Sequence, residues 1–139
     1  MKKLLFTSFI AAIFLTAISF ANHKHHVIKT SNDWGEWVND DCFTGIDYRV
    51  RRGDYNSYSR KWYWYAQIRN RYNQKVNISY CITEPGEIKT PDSRTIIEAG
   101  GIAGAGEVAL LNSSNRCHVR VGYMRFGDDD SGSYASCDK

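Results

Sequence analysis

Three stretches of this chain alternate apolar and polar residues with a period of two, and this pattern limits the fold more than any other feature. The stretches are 44–51, 61–69 and 76–83. Successive side chains of a β-strand point to opposite faces, so each stretch is predicted to be a strand with one apolar face. In the second stretch, Trp62 and Trp64 lie on the apolar face, whereas Tyr63 and Tyr65 lie on the other.

The rest of the chain from residue 34 continues the β pattern. Turn residues at 70–74 predict an antiparallel hairpin between the second and third stretches. Shorter strand patterns follow at 94–98, 107–111 and 118–123, and no segment has a helical period. About seven short strands separated by turns predict a sandwich or a small barrel. We expect one all-β domain over 34–139, an antiparallel β-sandwich.

The turn Arg-Asn-Arg-Tyr-Asn at 69–73, leading into 76–80, resembles the turns of many extracellular immunoglobulin-like domains. This architectural resemblance implies an immunoglobulin-like sandwich and carries no function with it. Trp34 and Trp37 precede the first strand, and we expect one of them to close an end of the core.

The N-terminus has the three parts of a secretory signal peptide. Lys2 and Lys3 precede an apolar run over 4–20, and Ser19 and Ala21 place small residues at the expected cleavage site. We predict a signal peptide over 1–21, a flexible arm over 22–33, and no membrane span after cleavage. The protein is then secreted, into an extracellular or periplasmic compartment.

The four cysteines all follow the predicted signal peptide. An even number of cysteines in an exported domain predicts two disulfides, with three possible pairings. Cys42 opens the first strand and Cys137 ends the chain, so we favour a bond between them. The second bond then joins Cys81 to Cys117.

The glycine-rich segment 100–106 partly matches the motif of a phosphate-binding loop. Gly101 and Gly106 have the required spacing, but Glu107 and Val108 stand where that loop has Lys and Ser or Thr. We expect a flexible hairpin turn here instead.

Two clusters are candidates for metal binding. His23, His25 and His26 lie in the predicted arm, where they do not indicate a built metal site. The loop 128–133 begins like a calcium loop, but Lys139 stands where that loop has its bidentate Glu. We predict no metal and no cofactor.

Catalytic chemistry has little support in the sequence. His118 is the only histidine outside the arm, and it has no nucleophile-elbow or zinc-peptidase motif around it. A pair of carboxylates for glycoside cleavage needs only spatial closeness, so a small hydrolase stays an open alternative. We predict a non-catalytic protein with no catalytic residues.

The group of residues that best indicates a binding site is basic and aromatic. The chain has 18 Lys and Arg against 15 Asp and Glu, so bulk charge does not indicate a nucleic-acid partner. Between residues 49 and 75, however, basic residues outnumber a single acid, Asp54. Arginine binds carboxylate, sulfate or phosphate through paired N–H groups, and aromatic rings stack on sugars. The candidate binding residues are Arg49, Arg51, Tyr63, Tyr65, Arg69, Arg71 and Lys75.

These observations predict an exported binding module whose Arg/Tyr sheet face binds an anionic glycan or another cell-surface polymer. The competing interpretation of the face is structural, because cross-strand Tyr–Arg pairs also stabilise a sheet. The alternative function is a protein-interaction domain, either an inhibitor or an accessory subunit. A small hydrolase is the least favoured of the three.

Overall fold

The computed structural model describes residues 33–127 and 132–139. The predicted signal peptide (1–21) lies outside the described residues, as does the predicted arm except for Asp33. Most of the candidate calcium loop, residues 128–131, also lies outside them. The described residues contain no helix with the length and apolarity that a membrane span requires.

The described residues form an all-β structure, as the alternation predicts. The strands are β1 (Val38–Asn39), β2 (Ile46–Asn56), β3 (Lys61–Asn70), β4 (Val76–Thr83), β5 (Ser93–Ile97), β6 (Ile102–Leu111) and β7 (His118–Phe126). All pairings are antiparallel, in one sheet of order β1-β2-β3-β6 and a second of order β5-β4-β7.

The hairpin predicted between the second and third stretches is wrong, because β3 and β4 belong to different sheets and the residues between them connect the two sheets. The longest pairing instead joins β2 to β3, and it follows the predicted alternation. Tyr48 lies opposite Ile68 and Val50 opposite Ala66, and all four side chains are buried. The register shifts by one residue near Gly53, where the ring of Tyr65 packs so closely that a Cβ on Gly53 would lie 2.6 Å from it. A side chain at position 53 would therefore displace that ring.

One hydrophobic cluster contains residues from both sheets. Trp64, Ile68, Ile78 and Val121 are among its members, and the indole of Trp64 is fully buried. Its Nε1 donates a hydrogen bond to the carbonyl of Ser113 at 2.9 Å, which satisfies the one polar atom of the ring.

The glycine-rich segment differs from the prediction, because most of it belongs to β6 instead of a hairpin turn. The turn itself lies earlier, where the amide of Gly101 donates to the carbonyl of Glu98 at 2.9 Å. Gly104 lies opposite Gln67 of β3, and a Cβ there would approach the Gln67 side chain to 2.7 Å. Glycine is thus present where two strands approach closely, a role that is distinct from turn formation.

The C-terminal segment is fastened to the start of β2. Cys42 and Cys137 form a disulfide, as predicted, across 95 residues of sequence. Beside it, the carboxylate of Asp138 accepts hydrogen bonds from the amide of Thr44 at 2.6 Å and the hydroxyl of Tyr72 at 2.6 Å. The segment also contacts β7, because the amide of Ala135 donates to the carbonyl of Met124 at 2.7 Å.

The second predicted disulfide is wrong. Cys81 and Cys117 are both buried thiols with no bond between them. Cys117 belongs to the hydrophobic cluster, whereas Cys81 alternates with the cluster residues Tyr80 and Ile82 on β4 and so points to the other face of its sheet. Its sulfur lies 3.8 Å from the carbonyl of Lys89. Two thiols on opposite faces of a sheet cannot meet without moving the backbone.

This arrangement predicts the thiol chemistry of the folded protein. Burial raises the pKa of the Cys117 thiol, which keeps it in the unreactive protonated form. We expect no cysteine to be alkylated by iodoacetamide in the native protein, two in denaturant without reductant, and four after reduction. Mass spectrometry of the labelled peptides would contradict the pairing if it found a Cys81–Cys117 linkage.

Asp40 makes the turn before β2 sensitive to pH. Its buried carboxylate accepts hydrogen bonds from the amides of Cys42 and Phe43, both at 2.9 Å. Burial nevertheless raises the pKa of Asp40 above its ordinary value of 3.8, because desolvation penalises the charged form more than these two bonds stabilise it. The folded protein therefore holds a proton at Asp40 more tightly than the unfolded chain does.

Asp40→Asn should remove this pH dependence while keeping the acceptor oxygen of the turn. Because the folded pKa is raised, the Asp40 contribution favours folding most below pH 3.8 and declines as the pH rises through the folded value. We expect Asp40→Asn to be at least as stable as the parent at pH 7, and this advantage to vanish at low pH. Chemical unfolding at several pH values measures this difference in stability. Asp40→Ala also removes the titration but loses both hydrogen bonds, so it should be less stable than Asp40→Asn by about 1–2 kcal/mol at every pH.

Candidate functional site: a stacked arginine and aromatic face

The outer face of the β1-β2-β3-β6 sheet carries most of the predicted binding residues. The register places Arg51 opposite Tyr65, Arg49 opposite Gln67, and Asp47 opposite Arg69. Each of these residues has at least one strand neighbour in the hydrophobic cluster, so these side chains point away from it. The two faces of the paired strands β2 and β3 are therefore oriented as the alternation predicts.

Trp34 and Trp37 lie on this outer face, and the expectation that one of them closes the core is wrong. Both are half-buried and neither belongs to the hydrophobic cluster. The segment that carries them runs beside β2, because the amide of Gly35 donates to the carbonyl of Val50 at 2.9 Å and Val38 pairs with Tyr48. This pairing places the indoles over the arginines of β2.

Guanidinium groups and aromatic rings contact one another in sequence along the face. The Cζ atom of Arg51 lies 4.5 Å from the ring centre of Tyr65 and 5.3 Å from that of Trp34. Arg49 lies 5.3 Å from Trp34 and 4.6 Å from Trp37. Arg69 follows, 4.5 Å from Trp37. We call these six residues the stacked face: Trp34, Trp37, Arg49, Arg51, Tyr65 and Arg69. Such contacts each contribute about 0.5–2 kcal/mol, depending on solvation.

Asp47 closes one end of the stacked face. Its carboxylate, with only 6% of the side chain exposed, lies 2.5 Å from Nη2 of Arg69 and 2.9 Å from Nε of Arg71. Nδ2 of Asn39 also donates to it, at 3.1 Å. A buried carboxylate is stable only when it is paired, and here two guanidinium groups and one amide surround it.

Two of the predicted binding residues stand apart from the stack. The hydroxyl of Tyr63 accepts a hydrogen bond from Nδ2 of Asn56 at 2.7 Å. Lys75 lies just before β4, which belongs to the other sheet, and its Nζ is 3.0 Å from a carboxylate oxygen of Glu98. The structure thus brings Arg49, Arg51, Tyr65, Arg69 and Arg71 together, and leaves Tyr63 and Lys75 outside this group.

Arg49 and Arg51 differ from Arg69 and Arg71 in their charge environment. Among the described residues, neither Arg49 nor Arg51 forms an ion pair with a carboxylate. Nε of Arg49 donates to Oε1 of Gln67 at 2.7 Å, and Nε of Arg51 is buried without a hydrogen-bond partner. Their charges are held in place by neutral groups and remain uncompensated there.

The other sequence candidates are arranged less favourably. His118 lines a groove of about 620 Å³ together with Asp40, Asp41 and the Cys42–Cys137 disulfide. Among the described residues that line this groove, none carries a hydroxyl that could act as a nucleophile. Nor do three His, Cys, Asp or Glu side chains converge as metal ligands anywhere in 33–127 and 132–139.

Sequence reasoning missed three contributors to the site: the two indoles and the buried Asp47. The alternation indicated the orientation of Asp47, since it shares a face with Arg49 and Arg51. For Trp34 and Trp37, the only signal was their position beside a basic strand, because an aromatic residue serves equally well in a core.

Comparison with known proteins gives no relative for this chain. No family model matches it, and no curated protein or solved structure matches it at a significant level.

Removing the Asp47 carboxylate should destabilise the fold. Asp47→Asn leaves two guanidinium groups without their counter-charge, so we expect the free energy of unfolding to fall by about 2–3 kcal/mol. Glu98→Gln, which breaks a pair whose carboxylate is 72% exposed, is the control and should cost less than about 0.5 kcal/mol. Urea unfolding followed by tryptophan fluorescence compares the two. Equal decreases in the free energy of unfolding would mean that the burial of Asp47 does not strengthen its ion pairs.

Proposed function

We propose that this protein is an exported, non-catalytic binding module that holds an anionic glycan or cell-surface polymer on its stacked face. The proposal includes an immunoglobulin-like β-sandwich as the scaffold, and secretion to an extracellular or periplasmic compartment. Each of these parts has its own support.

The strand order supports the scaffold. In immunoglobulin domains, strands A, B and E share one sheet, while C and F lie in the other, with C′ beside C in variable domains. The orders β2-β3-β6 and β5-β4-β7 correspond to A-B-E and C′-C-F. The C-terminal segment that bonds to Met124 then lies beside β7, where strand G would be.

Two features support export. The apolar run and small-residue cleavage pattern of 1–21 are those of a signal peptide. The Cys42–Cys137 disulfide is consistent with an oxidising compartment. The two remaining thiols are buried, which protects them from oxidation there.

The binding proposal rests on the surroundings of the guanidinium groups of Arg49 and Arg51. Both guanidinium groups contact aromatic rings, yet neither has a carboxylate partner among the described residues. Aromatic contact restricts the guanidinium, so less side-chain entropy is lost when an anion binds. The rings of Trp34 and Trp37 are each engaged by two arginines, which favours recognition through charge and N–H groups over stacking of sugars on these indoles.

Exposed tyrosines favour the alternative, a protein-interaction domain. Tyr123 and Tyr134 are 48% and 46% exposed, with ring centres 5.3 Å apart. Tyr123 also has a positive φ of 51° at an irregularity of β7, an unfavourable conformation for a bulky residue. Exposed aromatic pairs are typical of protein interfaces. Under this alternative, Tyr123→Ser abolishes partner binding and substitutions in the stacked face leave it intact.

The polymer-binding proposal is tested by neutralising the uncompensated charges. Arg49→Gln with Arg51→Gln should elute from a heparin column at clearly lower salt than the parent, because two anion-binding groups are lost. Arg94→Gln with Arg120→Gln is the matched control, since it removes the same charge from exposed positions on the other sheet. If both double variants elute at equally lowered salt concentrations, retention depends on net charge alone and the stacked face is rejected as the site.

A further inference from the structure

The positive charge of the stacked face forms a row along β2. Arg51 and Arg49 are two positions apart on one strand, so their Cα atoms are separated by about 7 Å. The next outward position is Asp47, where one carboxylate meets two guanidinium groups and leaves one net positive charge. Three single positive charges therefore follow one another along this strand.

The shared indoles limit how far apart these charges lie. Trp34 is 5.3 Å from the Cζ atoms of both Arg49 and Arg51, so the two charges are separated by at most twice that distance. Trp37 contacts Arg49 at 4.6 Å and Arg69 at 4.5 Å, which sets a similar upper limit for the next pair. Neighbouring charges in the row are therefore held within these limits, with one indole as the spacer between each pair.

We propose that the ligand is a linear polysaccharide with one negative charge per disaccharide, lying lengthwise along β2. This inference rests on the proposed function and specifies its ligand. A disaccharide repeat is comparable in length to the upper limit that each shared indole sets on the separation of two charges, so successive anionic groups of such a chain can each meet one charge of the row. A chain with one charge on every sugar places some of its charges between the positive charges of the row. A small anion uses one position only.

Hyaluronan oligosaccharides test the row, because they carry one carboxylate per disaccharide. Measured by calorimetry at low salt, affinity should rise from the di- to the hexasaccharide by about tenfold or more as the second and third charges engage. The octasaccharide should add less than about threefold. Trigalacturonate, with the same number of carboxylates as the hexasaccharide but one on every sugar, should bind more weakly than the hexasaccharide.

Trp37→Leu tests the spacer, because it removes the ring between Arg49 and Arg69 and leaves every charge in place. We expect this variant to bind the tetrasaccharide like the parent and to lose the additional gain of the hexasaccharide. A merely destabilised protein would instead lose affinity for both lengths in parallel. The Arg94→Gln, Arg120→Gln variant should keep the full length dependence.

The outcomes separate this inference from the proposed function. Heparin retention through Arg49 and Arg51, combined with hyaluronan affinities that do not change with length, would overturn the row and leave the binding function standing. Equal affinity for trigalacturonate and the hexasaccharide would also overturn it, since spacing would then be irrelevant. Failure of the parent to bind heparin and every oligosaccharide would overturn both.

Discussion

The pairing of β2 with β3 is the constraint on which both the core and the outer face depend. It buries Tyr48, Val50 and Trp64 on one side and presents Arg49, Arg51 and Tyr65 on the other. A slip of one residue would expose the indole and bury the guanidinium groups. The cost of burying unpaired charge makes such a slip highly unfavourable, so hydrophobic and electrostatic energies select the same register.

Asp47 adds a local reason for this register, because it lies directly opposite Arg69 and accepts hydrogen bonds from it. The carboxylate has been desolvated, and its attraction to two cations compensates only where they stay close. This requirement links three elements: β2, β3, and the turn that carries Arg71. The stacked face is thus anchored at one end by a pair that tolerates little movement, and it extends from there along β2 through contacts with neutral rings.

Much of this arrangement could be predicted from the sequence, because period-two alternation is a local property of the chain. The stretches predicted over 44–51, 61–69 and 76–83 cover β3, β4 and the first half of β2, and the orientation of Tyr65 follows from the same alternation. The Cys42–Cys137 bond follows from the positions of the cysteines. What failed depended on contacts between distant segments. Glycine occurs both in turns and where two strands approach closely, so the sequence alone predicts a turn at 100–106. Only Gln67 across the sheet determines which role applies to the glycines of β6. The prediction of a Cys81–Cys117 disulfide failed for a similar reason, because pairing depends on which face of the sheet each thiol occupies.

The placement of Trp34 and Trp37 shows why aromatic content alone does not define a core. An indole that packs against a guanidinium plane is shielded from water about as well as one that packs against an aliphatic side chain. The same contact also restricts the motion of the cation. On this face, the segment 33–39 gains attachment to β2 while Arg49 and Arg51 lose conformational freedom before any ligand arrives. A contact that stabilises the fold therefore also lowers the entropic cost of binding an anion, so stability and affinity should rise or fall together along this face.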